Sequence, residues 1–225
     1  MNPVLKRTLT GIAIGLAVLS AIVFSPLWVF PWVIGALAIL AYVEYVQLLR
    51  MKNGVSPAKR AVLLLAGLVI IAGGLSALTS VAFTYGNLML LYVVMVVKFS
   101  DVGGFAFGLY TAKHMKGGNH KMCPTISPGK SWEGMAGSIF ASCLVALLWT
   151  GATHYPIVKS LLIGFTAATV GTAGDLVESK FKRWIGVKDS SAFRFTNGMG
   201  GFLDMLDSLL FAPAVLLVLM KLNIG

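Results

Sequence analysis

The sequence predicts an all-α fold: a polytopic transmembrane helix bundle of about six to eight helices, with a polar site that faces the cytoplasm. Two observations predict it. Hydrophobic residues make up 57% of the 225 residues and charged residues only 12%, which is too apolar for the surface of a water-soluble domain. The apolar residues also form continuous runs rather than alternating patterns, which favours helices over a β-barrel.

Seven apolar runs follow one another along the chain. Most can cross the roughly 30 Å hydrocarbon core, which takes about 20 helical residues, whereas the fourth is short and predicts a partial or tilted span. The runs are 9–24, 28–49, 61–83, 88–97, 135–149, 157–173 and 205–220. Lys6 and Arg7 are typical of a signal peptide, but no small-residue cleavage site follows, and Ser25-Pro26 predicts a turn into the next helix.

Basic residues predict the orientation, because Lys and Arg in short loops stay on the cytoplasmic side. With the N-terminus inside, all but two of the eighteen Lys and Arg residues lie on that face; the exceptions are Lys159 and Lys221. The net charge of +10 then reflects topology and attraction to anionic headgroups, not nucleic-acid binding. We expect one integral membrane unit, with N-terminal helices over 1–99 and a catalytic region over 100–225.

Seven of the eight acidic residues fall in two polar blocks, 100–134 and 174–208. Asp204 and Asp207 are three residues apart, so they project from one helix face, and Asp175 stands where the preceding apolar run ends. Unpaired carboxylates at a membrane boundary are costly, and their hard oxygen ligands suit Mg²⁺. We therefore predict that these three residues bind metal, although helix-end carboxylates bound to water are the simpler interpretation of any one of them.

Basic residues are interleaved with these acids. Lys182, Arg183 and Lys188 lie between Asp175 and Asp204, and a cationic cluster beside a metal suits a polyphosphate, since phosphoryl and nucleotidyl transfer depend on positioning and charge neutralisation. A juxtamembrane basic patch would explain the charge but not the acids.

The first polar block adds further polar groups. Ser127 and Lys130 supply a hydroxyl and a cation ahead of a helix that Ser131 can cap. Glu44 lies alone in an apolar run, and the sequence leaves open whether it is functional or hydrogen-bonded within the bundle.

Together the two blocks resemble the phosphatidate cytidylyltransferase (CDP-diacylglycerol synthase) family. Its C-terminal signature has the form S-x-x-K-R, four residues, K-D, a short gap, H-G-G, one residue and D-R-x-D. The upstream ISPGKSWEG is similar to the family's ISPKKTWEG, and Asp101 stands where the family has an aspartate. The residues that match the signature are Ser179, Lys182, Arg183, Lys188, Asp189, Gly200, Gly201, Asp204 and Asp207. Met199 and Met205 replace the family's histidine and arginine, and the gap after Asp189 is about two residues longer.

The resemblance implies an enzyme of phospholipid biosynthesis that condenses CTP with phosphatidate, giving CDP-diacylglycerol and diphosphate. It implies Mg²⁺ as the cofactor, with room for a second cation, in the inner (cytoplasmic) membrane of a bacterium. Its partners are CTP, phosphatidate and membrane lipid, and a homodimer stays open. The implied catalytic residues are Lys182, Arg183, Lys188 and Asp189. The implied substrate-binding residues are Asp101, Ser127, Lys130, Ser179, Gly200 and Gly201.

Three alternatives stay open. A related CTP-dependent enzyme would act on another lipid phosphate, such as a prenyl-type lipid. A cation-coupled transporter would place acids near mid-membrane, whereas the hydropathy pattern predicts them at helix ends. An inactive scaffold would follow if Met199 and Met205 remove essential groups. CDP-alcohol phosphotransferases fit poorly, because their D-G-x-x-A-R motif is absent.

Overall fold

The computed structural model describes residues 15, 18–188, 190 and 201–222. Within these residues, five helices are long and apolar enough to cross a membrane, and a shorter apolar helix packs among them. This confirms the predicted polytopic helix bundle. The elements in chain order are a 3-10 turn (Leu27–Val29), α1 (Phe30–Met51), α2 (Pro57–Tyr85), α3 (Asn87–His114), β1 (Lys121–Cys123), β2 (Ser127–Ser131), α4 (Trp132–Leu148), α5 (Thr150–Thr153), α6 (Ile157–Ile185) and α7 (Phe202–Lys221).

Local signals in the sequence set several helix ends. The Ser56 hydroxyl accepts from the Lys59 N–H at the start of α2, and the Ser131 hydroxyl accepts from the Gly134 N–H at 3.1 Å at the start of α4. Gly86, with φ at +87°, separates α2 from α3, and Gly186, with φ at +104°, ends α6. Glycine suits both positions because side chains disfavour positive φ.

Two helices extend well beyond the apolar runs that predicted them. The short fourth run, 88–97, is only the first part of the 28-residue helix α3, and the run 157–173 belongs to the 29-residue helix α6. Hydropathy falls in both helices because their later turns carry polar side chains that pair with neighbouring helices. The hydropathy pattern predicted Asp101 and Asp175 at helix ends. They lie instead within long helices.

Glycines allow α3 and α4 to approach closely. A Cβ added at Gly103 would clash with Ala141 and with the Gly137 carbonyl, and one added at Gly137 would clash with Phe107. Small residues of this kind are typical of helix contacts in membranes, where close packing replaces the hydrophobic effect. The tight contact fixes α3, and with it Asp101, against the helix that follows the β1–β2 hairpin.

At one end of the bundle lie the turn before α1 and the C-terminus of α7. The Asn87 side-chain amide donates to the Ser25 carbonyl at 2.9 Å, which places the α2–α3 turn there too. The buried Lys159 ammonium donates to the carbonyls of Met220 and Leu222 at 3.1 and 2.8 Å. Lys159 and Lys221, the two basic residues that the sequence analysis excluded from the cytoplasmic face, therefore both lie at this end.

The opposite end carries the basic loops. The ammonium groups of Lys52 and Lys59 lie 5.2 and 5.7 Å from the centre of the Trp184 ring. Arg183 Nε donates to the Ile126 carbonyl at 3.2 Å, so the hairpin lies beside the C-terminal end of α6. The structure thus gathers the α1–α2 loop, the hairpin and the end of α6 on one face, as the basic-residue distribution predicts.

Candidate metal and phosphate site

Three carboxylates from two helices converge near the basic end of the bundle. Asp175 and Glu178 lie about one turn apart on α6, and Asp207 lies on α7; one oxygen from each lies within 4.8 Å of the other two. Three acids so close together within a membrane protein are costly without a cation. Carboxylate oxygens are the ligands that Mg²⁺ prefers, so the residues present fit a divalent cation.

Glu178 belongs to this cluster although the sequence prediction left it out. It is buried, with 6% of its surface exposed, and it follows Asp175 by three residues. That spacing places both side chains on one helix face, so the signal was present in the sequence. The two predicted metal ligands Asp175 and Asp207 do come together.

Asp204, the third predicted metal ligand, has other partners in the described structure. Its Oδ1 lies 2.5 Å from Lys182 Nζ, and its Oδ2 accepts from the backbone N–H groups of Ser190 and Gly201, both at 3.0 Å. The structure therefore groups Asp204 with a lysine and two amides, while Glu178 stands with Asp175 and Asp207.

Lys182 connects the two groups of acids. Its ammonium lies 2.7 Å from Glu178 Oε2 and 2.5 Å from Asp204 Oδ1. The lysine and glutamate side chains are only 10% and 5% exposed, so neither charge is shielded by bulk water. Removing one member of such a desolvated group leaves an uncompensated charge behind.

The hairpin brings a second lysine to the cluster. Lys130 Nζ lies 2.5 Å from Asp175 Oδ2, and the Ser179 hydroxyl donates to Asp175 Oδ1 at 3.2 Å. Among the described residues, each oxygen of Asp175 thus has a protein partner, and these contacts orient the carboxylate. The predicted binding residues Lys130 and Ser179 meet at one metal-cluster acid, and Ser127 lines the adjoining cavity.

A histidine–carboxylate pair closes the hairpin onto α4. His120 Nδ1 lies 2.6 Å from Glu133 Oε1, and the His120 backbone N–H donates to Glu133 Oε2 at 3.1 Å. The hydrogen bond from the His120 side chain lowers the pKa of Glu133 below its ordinary value. These contacts hold in place the strand that carries Lys130.

The other predicted residues are more scattered. Arg183 donates to the carbonyls of Ile126 and Val187, and both Arg183 and Lys188 are exposed, away from the carboxylate cluster. Asp189 and Gly200 lie outside the described residues, as does Met199. Gly201 is packed so tightly that a Cβ there would clash with the Glu44 and Ser190 side chains.

Glu44 is fully buried and lies at the start of α7. Its Oε2 accepts from the Leu203 N–H at 2.9 Å, while Asp204 accepts from the Gly201 N–H. Backbone N–H groups at a helix start have no partner within the helix, and a carboxylate satisfies them and complements the helix dipole. Glu44 is therefore hydrogen-bonded within the bundle, which is one of the two interpretations that the sequence left open.

Asp101 and Lys98 face α7 from α3. Asp101 Oδ2 accepts from the Ser208 hydroxyl at 2.9 Å and lies 3.4 Å from Lys98 Nζ. Lys98 also donates to the Met205 carbonyl at 3.0 Å. Sequence reasoning missed Lys98 as a site residue, because it stands at the edge of an apolar run.

Several of the site residues line one end of a cavity of about 1190 Å³. Its charged end includes Lys98, Asp101, Lys130, Asp175 and Asp207, and most of its remaining lining comes from aliphatic and aromatic side chains of the bundle. A largely apolar cavity with a few convergent charged groups is typical of a ligand site. This one can hold an amphiphile whose polar end lies among the charged groups.

Comparison with known proteins gives consistent matches. The sequence model of the cytidylyltransferase family matches residues 53–223. Curated proteins named phosphatidate cytidylyltransferase are similar over 133 residues, or 58% of this chain: the protein from Staphylococcus aureus (strain COL) is 40% identical, that from Staphylococcus epidermidis (strain ATCC 12228) is 39% identical, and that from Staphylococcus saprophyticus is 38% identical. The match covers 48% of each of these relatives, so the chain spans about half their length.

Proposed function

This chain belongs to the cytidylyltransferase family, and we propose that it condenses CTP with phosphatidate, giving CDP-diacylglycerol and diphosphate in phospholipid biosynthesis. The observation that carries the proposal is the convergence of Asp175, Glu178 and Asp207 beside lysines at the charged end of an apolar cavity. Family membership supports a cytidylyl donor, and the printed names of the curated relatives support phosphatidate as the acceptor.

The charge of the site supports a divalent cation. Among the described residues, five carboxylates and three ammonium groups form one connected neighbourhood, with a formal charge of −2 when all are ionised. A single Mg²⁺ neutralises that charge. The negative charge of the incoming phosphates can then be balanced by a second cation. The eight residues are Asp101, Asp175, Glu178, Asp204, Asp207, Lys98, Lys130 and Lys182.

In this proposal Asp175, Glu178 and Asp207 hold Mg²⁺, which when bound neutralises charge on the CTP phosphates. Lys130 keeps the Asp175 carboxylate oriented and presents positive charge to the nucleotide. Lys182 holds Glu178 in place and completes the cationic side of the site. These groups position two anionic substrates that otherwise repel each other.

The reaction itself needs no protein nucleophile. A phosphate oxygen of phosphatidate attacks the α-phosphorus of CTP and forms a new P–O bond. The bond from that phosphorus to the oxygen bridging it to the β-phosphorus breaks, and diphosphate leaves with the electron pair. The acyl chains stay in the apolar part of the cavity and the bilayer, so the site must lie within reach of both lipid and water.

We further propose that the site opens to the cytoplasm of a bacterial cell, where CTP is available. The gathering of the basic loops at the end of the bundle near the site supports this orientation, because Lys and Arg are retained on the cytoplasmic side. The bacterial origin of the similar curated proteins supports the placement in the cytoplasmic membrane.

The test is CDP-lipid formation by the purified chain from CTP labelled at the α-phosphate. Phosphatidate, a prenyl phosphate and a neutral diacylglycerol are offered in parallel, with and without Mg²⁺. We expect label in lipid only with phosphatidate and Mg²⁺. Label in the prenyl product alone would reassign the acceptor, and no labelled lipid under any condition would overturn the proposed activity.

Two variants separate the site from the rest of α6 and α7. Asp207→Asn should lower the rate by about a hundredfold or more, in the range of lost charge stabilisation at a transition state. Lys180→Met removes an exposed charge on α6 and should retain the wild-type rate. Equal rates for Asp207→Asn and wild type would contradict the assigned site.

A further inference from the structure

Lys98 carries a positive charge near the middle of a helix long and apolar enough to cross a membrane. It lies eleven residues after the first residue of α3, which is roughly 16 Å along a helix that rises 1.5 Å per residue. An ammonium group at such depth is costly in lipid unless oxygen ligands surround it. The oxygen atoms around the Lys98 ammonium and its exposure to the cavity therefore indicate which ligands it can bind.

The protein supplies one oxygen partner for each of the three N–H groups of the Lys98 ammonium, and the longest of these contacts is the one that a substrate oxygen would replace. Lys98 Nζ donates to the Met205 carbonyl at 3.0 Å and the Ser208 hydroxyl at 3.1 Å, and its ion pair with Asp101 is longer, at 3.4 Å. The Lys98 side chain is 37% exposed, compared with 10% for the buried Lys182. The exposed part faces the cavity, so an anion can approach this ammonium group.

The position of Lys98 along the cavity distinguishes it from the other lysines. Val94, Met95, Val102 and Phe105 line the cavity beside it on the same helix. The lining also includes two acids of the metal cluster, Asp207 on α7 and Asp175 on α6. Lys98 thus lies among apolar lining residues of its own helix, in the same cavity as the acids of α6 and α7.

We propose that Lys98 binds the phosphate of the lipid substrate. An amphiphile with its chains against the apolar lining can place its phosphate beside Lys98. CTP enters from the end of the bundle that carries the hairpin and therefore meets Lys130 first. The assignment rests on the proposed function. It adds a residue that binds the lipid substrate and not the nucleotide.

Lipid binding without CTP tests this directly. Calorimetric titration of the detergent-solubilised protein with dioctanoyl phosphatidate should give a Kd that Lys98→Met weakens about tenfold or more, as expected for a lost hydrogen bond to a charged group. Lys98→Arg should retain most of the affinity. Lys113→Met, an exposed lysine in the last turn of the same helix, should match the wild type.

Kinetics provide the second measurement. Lys98→Met should raise the KM for phosphatidate about tenfold and leave the KM for CTP within about twofold. If Lys98→Met does not fold because Asp101 is left unpaired, the double variant Lys98→Met with Asp101→Asn removes both charges and is compared with Asp101→Asn alone. The double variant should bind the lipid more weakly than Asp101→Asn, by the same factor that separates Lys98→Met from the wild type.

The outcomes separate this inference from the proposed function. A lower melting temperature for Lys98→Met with unchanged lipid Kd and KM would overturn the inference, because Lys98 would then serve only to neutralise Asp101. A rise in the KM for CTP instead would also overturn it. Phosphatidate binding that depends on Lys98, in a wild-type protein that makes no CDP-lipid, would support the lipid site and reject the proposed reaction.

Discussion

Lys182 on α6 and Asp204 on α7 form a buried ion pair, with 2.5 Å between Nζ and Oδ1. The other oxygen of Asp204 accepts from the N–H groups of Ser190 and Gly201. One carboxylate therefore joins the end of the α6 region to the start of α7. Asp207, one turn later, points to the metal cluster instead. Two aspartates three residues apart thus have different surroundings, and their substitutions should have different effects.

Asp204→Asn should chiefly destabilise the fold. Loss of the charge leaves Lys182 with Glu178 alone, and breaking a buried pair costs about 3 kcal/mol, so the melting temperature should fall with or without Mg²⁺. Asp207→Asn should leave the metal-free melting temperature unchanged or higher, because it removes a charge that neighbouring carboxylates repel. It should also abolish the stabilisation that Mg²⁺ gives to the wild type.

Thermal unfolding in detergent, with and without Mg²⁺, measures both effects. The reverse pattern, in which Asp207→Asn destabilises the metal-free protein and Asp204→Asn removes only the Mg²⁺ response, would show that Asp204 and not Asp207 is the metal ligand on α7.

Glu44→Ala should destabilise the start of α7 by about 2 kcal/mol, because the Leu203 N–H loses its acceptor within the bundle. Glu44→Gln keeps a side-chain oxygen in the same place and should lose clearly less. Chemical denaturation of the two variants beside wild type checks the order. Equal losses for alanine and glutamine would mean that the negative charge, and not the hydrogen bond, is what α7 requires.

Gly103→Ala should force α3 and α4 apart and cost about 1–3 kcal/mol, since an added methyl group meets the Gly137 backbone and overpacking is destabilising. Gly35→Ala on α1 is the matched control, because a Cβ there meets nothing within 4 Å and alanine favours helix. Melting temperatures compare them. A stable Gly103→Ala protein with wild-type activity would contradict the close helix contact.

The contact between His120 and Glu133 should weaken in acid. Because the pKa of Glu133 is lowered by His120, its contribution is fully present above the ordinary carboxylate pKa and is lost as the pH falls through the lowered value. Hydrogen exchange of the His120 amide, corrected for its intrinsic pH dependence, should show this loss of protection in acid. Glu133→Gln should show no such transition, and an identical acid transition in both proteins would exclude Glu133 as its cause.

The sequence predicted the bundle and part of the site for clear physical reasons. Long apolar runs identify spans whatever their packing, so the helix bundle followed from the composition and from these runs. Asp175 and Asp207 were paired from the cost of isolated acids in a membrane, and the structure brings them together. Their binding of metal stays a prediction, as do the domain division and the roles of the other site residues.

The remaining details depend on contacts that a linear pattern does not contain. Hydropathy ended α3 and α6 too early, because it counts Asp101 and Asp175 as polar without the hydroxyl and ammonium groups that pair with them across helices. The partners of Asp204 come from Lys182 and from two separated backbone amides. These partners come together only when the chain is folded. Glu178, by contrast, could have been predicted from the sequence, because it follows Asp175 by three residues.

The most direct test of the central claim is a titration of the purified protein with Mn²⁺, as a paramagnetic substitute for Mg²⁺, followed by electron paramagnetic resonance. We predict tight Mn²⁺ binding that Mg²⁺ displaces, that Glu178→Gln weakens about tenfold or more, and that Lys180→Met leaves unchanged. Undiminished binding by Glu178→Gln, together with loss of binding on substitution of an acid outside the cluster, would contradict the account.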